Sequence, residues 1–110
     1  MIQKADLTAP PPADHEAEEW TVGSVLLDPS CIDRLGFLEP GDFTDAQLGG
    51  IFGTVRDLRR QGQPVDLALL KRHLPGDDWA ARIYQLSAAV PVAGHVDHYA
   101  KLVGRAATRQ

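Results

Sequence analysis

His95 and His98 stand three residues apart with Asp97 between them, a spacing that can bring two imidazoles onto one metal ion on one face of a helix. A structural zinc site needs further ligands of the right kind nearby, and Cys31 is the only thiol in the chain. The pair therefore reads as solvated or capping, and no metal is expected. Cys31 could also be a nucleophile, but Asp28 and Asp33 beside it are negative and raise a thiol pKa, so it reads as a half-buried structural cysteine. Glu16, Glu18 and Glu19 offer carboxylates for acid-base work, yet negative charge at the positive end of a helix accounts for them without any substrate.

Trp20 and Trp79 could stack on single-stranded bases. Neither is interleaved with Lys or Arg, so packing in a core or interface is the better reading. A Walker-type phosphate loop needs glycine followed by lysine, and no glycine here has lysine after it. No catalytic residue and no cofactor are expected. The net charge of −4 argues against a sequence-independent grip on DNA, which depends on Lys and Arg neutralising phosphates. The charge is uneven: residues 1 to 46 carry two basic against ten acidic residues, net −8, and residues 47 to 110 carry nine against five, net +4. Two solvated, salt-screened faces explain this most simply; head-to-tail contact between copies is the other reading.

The elements that must hold these residues are helical. A chain of 110 residues builds one core, a lone cysteine makes no internal disulfide, and neither a signal peptide nor a membrane span is visible, so a cytoplasmic protein is expected. Residues 1 to 13 read as a disordered leader, because Ala9-Pro10-Pro11-Pro12-Ala13 cannot propagate a helix. Asp14 can cap a first helix running to about Leu27, with Val22, Val25 and Leu26 inward and Asp28-Pro29 as its stop. A short helical piece from Ser30 to Leu35 ends at Gly36, with Phe37 and Leu38 turned to the core.

Thr44 or Asp45 can cap a helix whose Leu48, Ile51, Phe52, Val55 and Leu58 fall at helical spacing, the strongest periodic signal in the chain. Gly49, Gly50 and Gly53 weaken that helix, which points to close approach of another backbone or to drift. Arg56, Arg59 and Arg60 suit its last turns, and Gly62 and Pro64 close it. Asp66 can cap a fourth helix bearing Leu67, Leu70 and Leu74. Asp77 or Asp78 caps a fifth, with Trp79, Ile83 and Leu86 on one face. A sixth begins near Ala93, with Val96, Tyr99, Ala100, Val103 and Ala107 apolar and Lys101, Arg105 and Arg109 on a separate stripe. No segment alternates at period two, so the fold class is all-α: a compact head of about five helices over residues 14 to 91, and a further helix over 92 to 110. Phe43 joins the expected core.

These pieces, taken in order, resemble the N-terminal domain of bacterial replicative DNA helicases of the DnaB type, from about Pro11 to Arg109. The resemblance rests on Glu16-Ala17-Glu18-Glu19 through Val22-Gly23 to Val25-Leu26-Leu27-Asp28, with Pro-Pro ahead of it. It continues in Leu38, Pro40 and Asp42-Phe43, then Ile51-Phe52 with Leu58, then Gly62, Pro64-Val65-Asp66 and Leu74. The closing signature is Ile83, Leu86, Val90-Pro91, Ala93, His98-Tyr99-Ala100 and Val103. Two departures stand out: Leu48-Gly49-Gly50 occupies the place of a histidine-arginine pair common in the family, and the loop after Leu74 is short.

The resemblance implies a helical head followed by the first helix of a hairpin, with the ATPase motor in a part of the helicase not found in this chain. It implies an interaction and oligomerisation role: paired N-terminal domains forming a collar on a hexamer, contact with primase, and more variable contact with a helicase loader. A free-standing adaptor that kept the head fold without a motor is the alternative. The stripe of Val96, Tyr99, Val103 and Ala107 would pack within the family's hairpin. Without the second hairpin helix it is expected either to fold back on the head or to pair two copies as a weak dimer, with Tyr99 and Val103 as the main contacts.

Overall fold

The computed structural model describes residues 14–76, 78–91 and 93–109; the expected leader, and Asp77 as a helix cap, lie outside them. Five α-helices are formed among these residues: α1 His15–Leu27, α2 Ala46–Arg60, α3 Leu67–His73, α4 Asp78–Ala89 and α5 Val96–Arg109. Short 3-10 turns at Pro29–Arg34, Pro40–Asp42 and Ala93–His95 join them. The fold is all-α, and there is no strand among the described residues.

The caps follow from side-chain chemistry. The Asp14 carboxylate accepts from the Ala17 amide at 3.0 Å, and that of Asp66 accepts from Leu69 N–H at 2.9 Å. Asp45 accepts from both Gln47 and Leu48 amides, at 2.9 and 3.2 Å. Asp28 ends α1 and starts the next turn, its carboxylate accepting from the Ser30 hydroxyl at 2.6 Å. At the end of α2, Gly62 takes φ +71°, a conformation costly for any residue with a Cβ, and Gln63 N–H reaches back to the Leu58 carbonyl at 2.8 Å.

The hub of the fold is α1. It packs against α2, α4, α5 and the first 3-10 turn, and Ala17, Glu18, Thr21, Val22, Gly23, Ser24 and Val25 are all buried. A helix surrounded on most sides cannot show a one-sided apolar stripe, and here small and hydroxyl-bearing residues occupy the remaining faces. Thr21 and Ser24 satisfy their hydroxyls on the Ala17 and Trp20 carbonyls, at 2.6 and 2.7 Å, so neither is stranded in the interior. Gly23 is where α4 crosses, since a Cβ there would fall 2.5 Å from the Leu86 carbonyl oxygen.

The strongly periodic α2 buries Leu48, Ile51, Phe52, Val55 and Leu58, and Phe52 meets Phe43 at 5.1 Å between ring centroids. Its glycines have different reasons. A Cβ on Gly49 would come 2.6 Å from the Pro40 carbonyl oxygen and one on Gly53 would come 3.0 Å from the Pro40 ring, so the Pro40–Asp42 turn lies directly on the helix. Gly50 faces away from that contact, with Leu74 at an ordinary 3.9 Å.

Several sequence expectations are corrected. Leu38 is buried, but Phe37 is 53% exposed and lies beside Gly104 of α5, because the Gly36-Phe37 turn sends successive side chains in opposite directions. Leu67, the first residue of α3, is exposed, and the helix packs through Leu69, Leu70 and the following Leu74. Leu26 and Ile83 are only partly buried, at the margin of the core, whereas Val22, Phe43 and Leu86 are inside. The short helical piece expected around Ser30 to Leu35 is present as a 3-10 helix over Pro29–Arg34, and the helix expected to begin near Ala93 opens there as a 3-10 turn that leads into α5.

Candidate functional site

The apolar stripe expected to meet a partner is α5, and it is already used inside the chain. Val96, Ala100 and Val103 are buried in the common core, and Tyr99 is 6% exposed, its ring 5.3 Å from that of Trp20 on α1. Of the two arrangements open to this stripe, folding back on the head is the one adopted. A partner could not reach Tyr99 or Val103 without prising α5 from α1. Ala107, nearer the end of the helix, is the one interface candidate left partly exposed, and Lys101 and Arg105 face solvent. Arg34 reaches across to α5, its guanidinium 3.3 Å from Asp97.

A polar clamp ties α1, α2 and α4 together. Glu18 is only 1% exposed, yet its carboxylate accepts from the Thr44 amide at 3.1 Å, the Thr44 hydroxyl at 2.7 Å and the Asp45 amide at 3.2 Å. The charge is buried because three donors at the entrance of α2 surround it. Asp45, which caps α2, also receives Arg82 Nη2 of α4 at 2.6 Å, and Arg82 Nη1 donates to Gln47 Oε1 at 2.9 Å. Burial disfavours the charged form of Asp45, but Arg82 together with the Leu48 and Gln47 amides outweighs it and holds this carboxyl below its ordinary pKa. Glu18 was expected to serve the dipole of its own helix; its bonds run instead to the next one. The signal in the sequence was a fourth-position glutamate followed by a Thr-Asp pair at the start of another helix, which only the fold relates.

The residues singled out for chemistry stay apart. Cys31 is buried, its sulfur 3.7 Å from the Ser24 carbonyl, and burial, with Asp28 adding to it, pushes the thiol up to about 11. That value keeps it protonated at neutral pH. His95 and His98 are exposed, and among the described residues no three His, Cys, Asp or Glu side chains are grouped to hold a metal ion. Trp79 is buried and donates its indole N–H to the Gly76 carbonyl at 2.8 Å. No helix among the described residues is long and apolar enough to cross a membrane.

Two of the surface clefts are lined by described residues alone. One, of about 330 Å³, lies between α2 and the approach to α4 and is lined by Gln47, Gly50, Leu74 and Trp79 among others. The other, of about 220 Å³, is lined by Ile32, Asp33 and Gly36 on one side and by Arg56, Arg59 and Arg60 of α2 on the other. Neither joins a nucleophile to a base.

The family model described as DnaB-like helicase N terminal domain matches residues 10–105. The replicative DNA helicase DnaB of Geobacillus stearothermophilus is 33% identical over 100 residues, covering 84% of this chain and 22% of that protein. The replicative DNA helicase DnaB of Treponema pallidum (strain Nichols) is 33% identical over 107 residues, covering 91% and 24%. The chain thus spans less than a quarter of the length of these curated relatives. Among solved structures, the N-terminal domain of DnaB helicase from Mycobacterium tuberculosis superposes with a TM-score of 0.80 at 27% identity, covering 91% of this chain and 76% of that one.

Proposed function

The chain belongs to the DnaB-like helicase N terminal domain family, and from that membership we propose that it is the interaction and oligomerisation domain of a replicative DNA helicase. In this reading its work is collar assembly and primase contact, with a helicase loader as a further partner. ATP hydrolysis and the principal grip on DNA lie in a motor outside this sequence. Residues 14 to 91 form the head and 92 to 110 the first helix of a hairpin, acting in the cytoplasm.

The observation that carries this reading is one of proportion. The chain covers nearly all of its own length against helicases of which it spans only 22% to 24%, while it spans 76% of a solved DnaB N-terminal domain. Its surface supports the reading, because the clefts described above can hold a partner and the clamp holds helix to helix. Full-length helicases also need phosphate-cradling glycine and lysine, which this sequence lacks.

A chimera tests it. Grafted in place of the N-terminal domain of a DnaB helicase, ahead of that protein's own linker and motor, the chain is expected to support hexamers and primase-stimulated unwinding. Motors that remain monomeric with a folded head would remove the proposal.

A further inference from the structure

The cleft between the Pro29–Arg34 turn and the end of α2 brings three guanidinium groups to one opening of about 220 Å³. Each is differently occupied. Arg59 holds Asp33 through two bonds, Nη2 at 2.5 Å and Nε at 3.4 Å. Arg56 gives only Nη1 to Glu39, at 2.9 Å, and its Nε is buried with no acceptor. Arg60 is exposed and has no ion-pair partner among the described residues. Across from them the wall is Ile32, and Gly36 stands where a Cβ would meet nothing within 4 Å.

We propose that this cleft is a docking site for an acidic segment of a protein partner, one carboxylate entering among Arg56, Arg59 and Arg60 with an apolar neighbour set against Ile32 and Gly36. Arg56, Arg59 and Arg60 line the opening with one carboxylate, Asp33, while Glu39 pairs with Arg56 and Asp28 acts on Arg59 from outside the lining, so the lining itself is net positive in a chain whose total is −4. Glu39 and Asp33 are mostly exposed, and exposed ion pairs contribute little, so an incoming carboxylate exchanges with them at small cost. It gains what they do not supply: a forked acceptor can take the Arg56 Nε once the side chain turns to meet it, and Arg60 acquires a partner. A nucleic-acid strand fits less well, because its successive phosphates would run past Asp33 and Glu39, whereas a single carboxylate enters between them. The proposal stands apart from the collar reading, since the isolated chain suffices to test it.

The probes are a fluorescein-labelled peptide of alternating glutamate and leucine, the same peptide with glutamine for glutamate, and an oligothymidylate of equal charge. In a 15N titration, the glutamate peptide is expected to move the Arg56 and Arg59 Nε signals together with the Gly36 amide, saturably, while the glutamine peptide does not. Arg60→Gln, which removes no ion pair of the fold, combined with Arg59→Gln is expected to weaken peptide binding by about tenfold or more, and Arg60→Gln alone by a smaller factor. Lys101→Gln with Arg105→Gln should leave it unchanged. Shifts spread evenly over Lys71, Arg72, Lys101 and Arg105 would overturn the proposal, as would equal binding of the glutamine peptide. Oligothymidylate displacing the peptide at lower concentration would overturn it in favour of nucleic acid.

Discussion

The Glu18 carboxylate of α1 accepts the backbone N–H of Asp45, 27 residues further along, so one helix holds the cap of the next. Asp45 in turn caps α2 and receives Arg82, which makes the pair a junction through which α1, α2 and α4 are fixed together. Removing Glu18 takes the acceptor away from the Thr44 and Asp45 amides at the entrance of α2. Glu18→Ala is expected to cost about 3 kcal/mol, the usual loss for charged hydrogen bonds together with the unpaired donors they leave. Urea unfolding measures it, and a loss below about 1 kcal/mol would show that water replaces the carboxylate without penalty.

The Asp45 carboxyl, held below its ordinary pKa by Arg82 and two amides, gives the fold an acid-sensitive contribution. A depressed folded-state pKa means that this stability is fully present above the unfolded value of about 4 and is lost as pH falls through the folded one. The melting temperature should therefore hold from pH 7 to about 5 and fall below that. Asp45→Asn should melt lower at pH 7 and show a shallower acid decline. Parallel curves for parent and variant would assign the acid sensitivity elsewhere.

The three glycines of α2 separate by experiment. Gly49→Ala drives a methyl into the Pro40 carbonyl and should destabilise by about 2 kcal/mol or more. Gly50→Ala meets only ordinary contact with Leu74, so the gain in helix propensity should stabilise the chain by about 0.5–1 kcal/mol. Thermal melts of the two variants should move in opposite directions; a common direction would contradict the described packing.

Phe52 is fully buried against Phe43, and Phe52→Ala should cost about 3–5 kcal/mol. A melting temperature within a degree or two of the parent would place the ring elsewhere.

The seating of α5 makes a further distinction. Tyr99→Asp with Val103→Asp buries two charges against α1 and should abolish the cooperative melt, not merely separate two folded copies. Circular dichroism with sedimentation decides it. A folded monomer from a parent that dimerises would mean that the stripe does pair copies.

What the sequence made legible was periodicity. The α2 face from Leu48 to Leu58, the caps at Asp14, Asp45 and Asp66, and the stop at Gly62 are local matters of spacing and side-chain reach, and each is visible within a few residues. The order of apolar and turn signatures also carried the family. Relations between helices were not legible: α1 showed only Val22, Val25 and Leu26 as a face, because Thr21, Gly23 and Ser24 bury through small size and self-satisfied hydroxyls instead of hydrophobicity. The alternatives for the Val96 to Ala107 stripe had equal local signatures, and only the packing of Tyr99 on Trp20 separates them. The arginine cleft was likewise hidden, since Arg56, Arg59 and Arg60 suit a helix end equally well with or without Ile32 and Gly36 opposite.

The central position of α1 also sets a timetable for synthesis. Its neighbours α4 and α5 follow it at a distance along the chain, and Tyr99 comes 79 positions after Trp20. At about 5–20 residues per second, the first helix therefore spends roughly 4 to 16 s without its final partners while translation proceeds. Until Leu86 is made, the narrow seat at Gly23 has no backbone to fill it. Among the described helices the first is completed by the last, so a pause before Val103 leaves the core around α1 without the residues that α5 contributes to it.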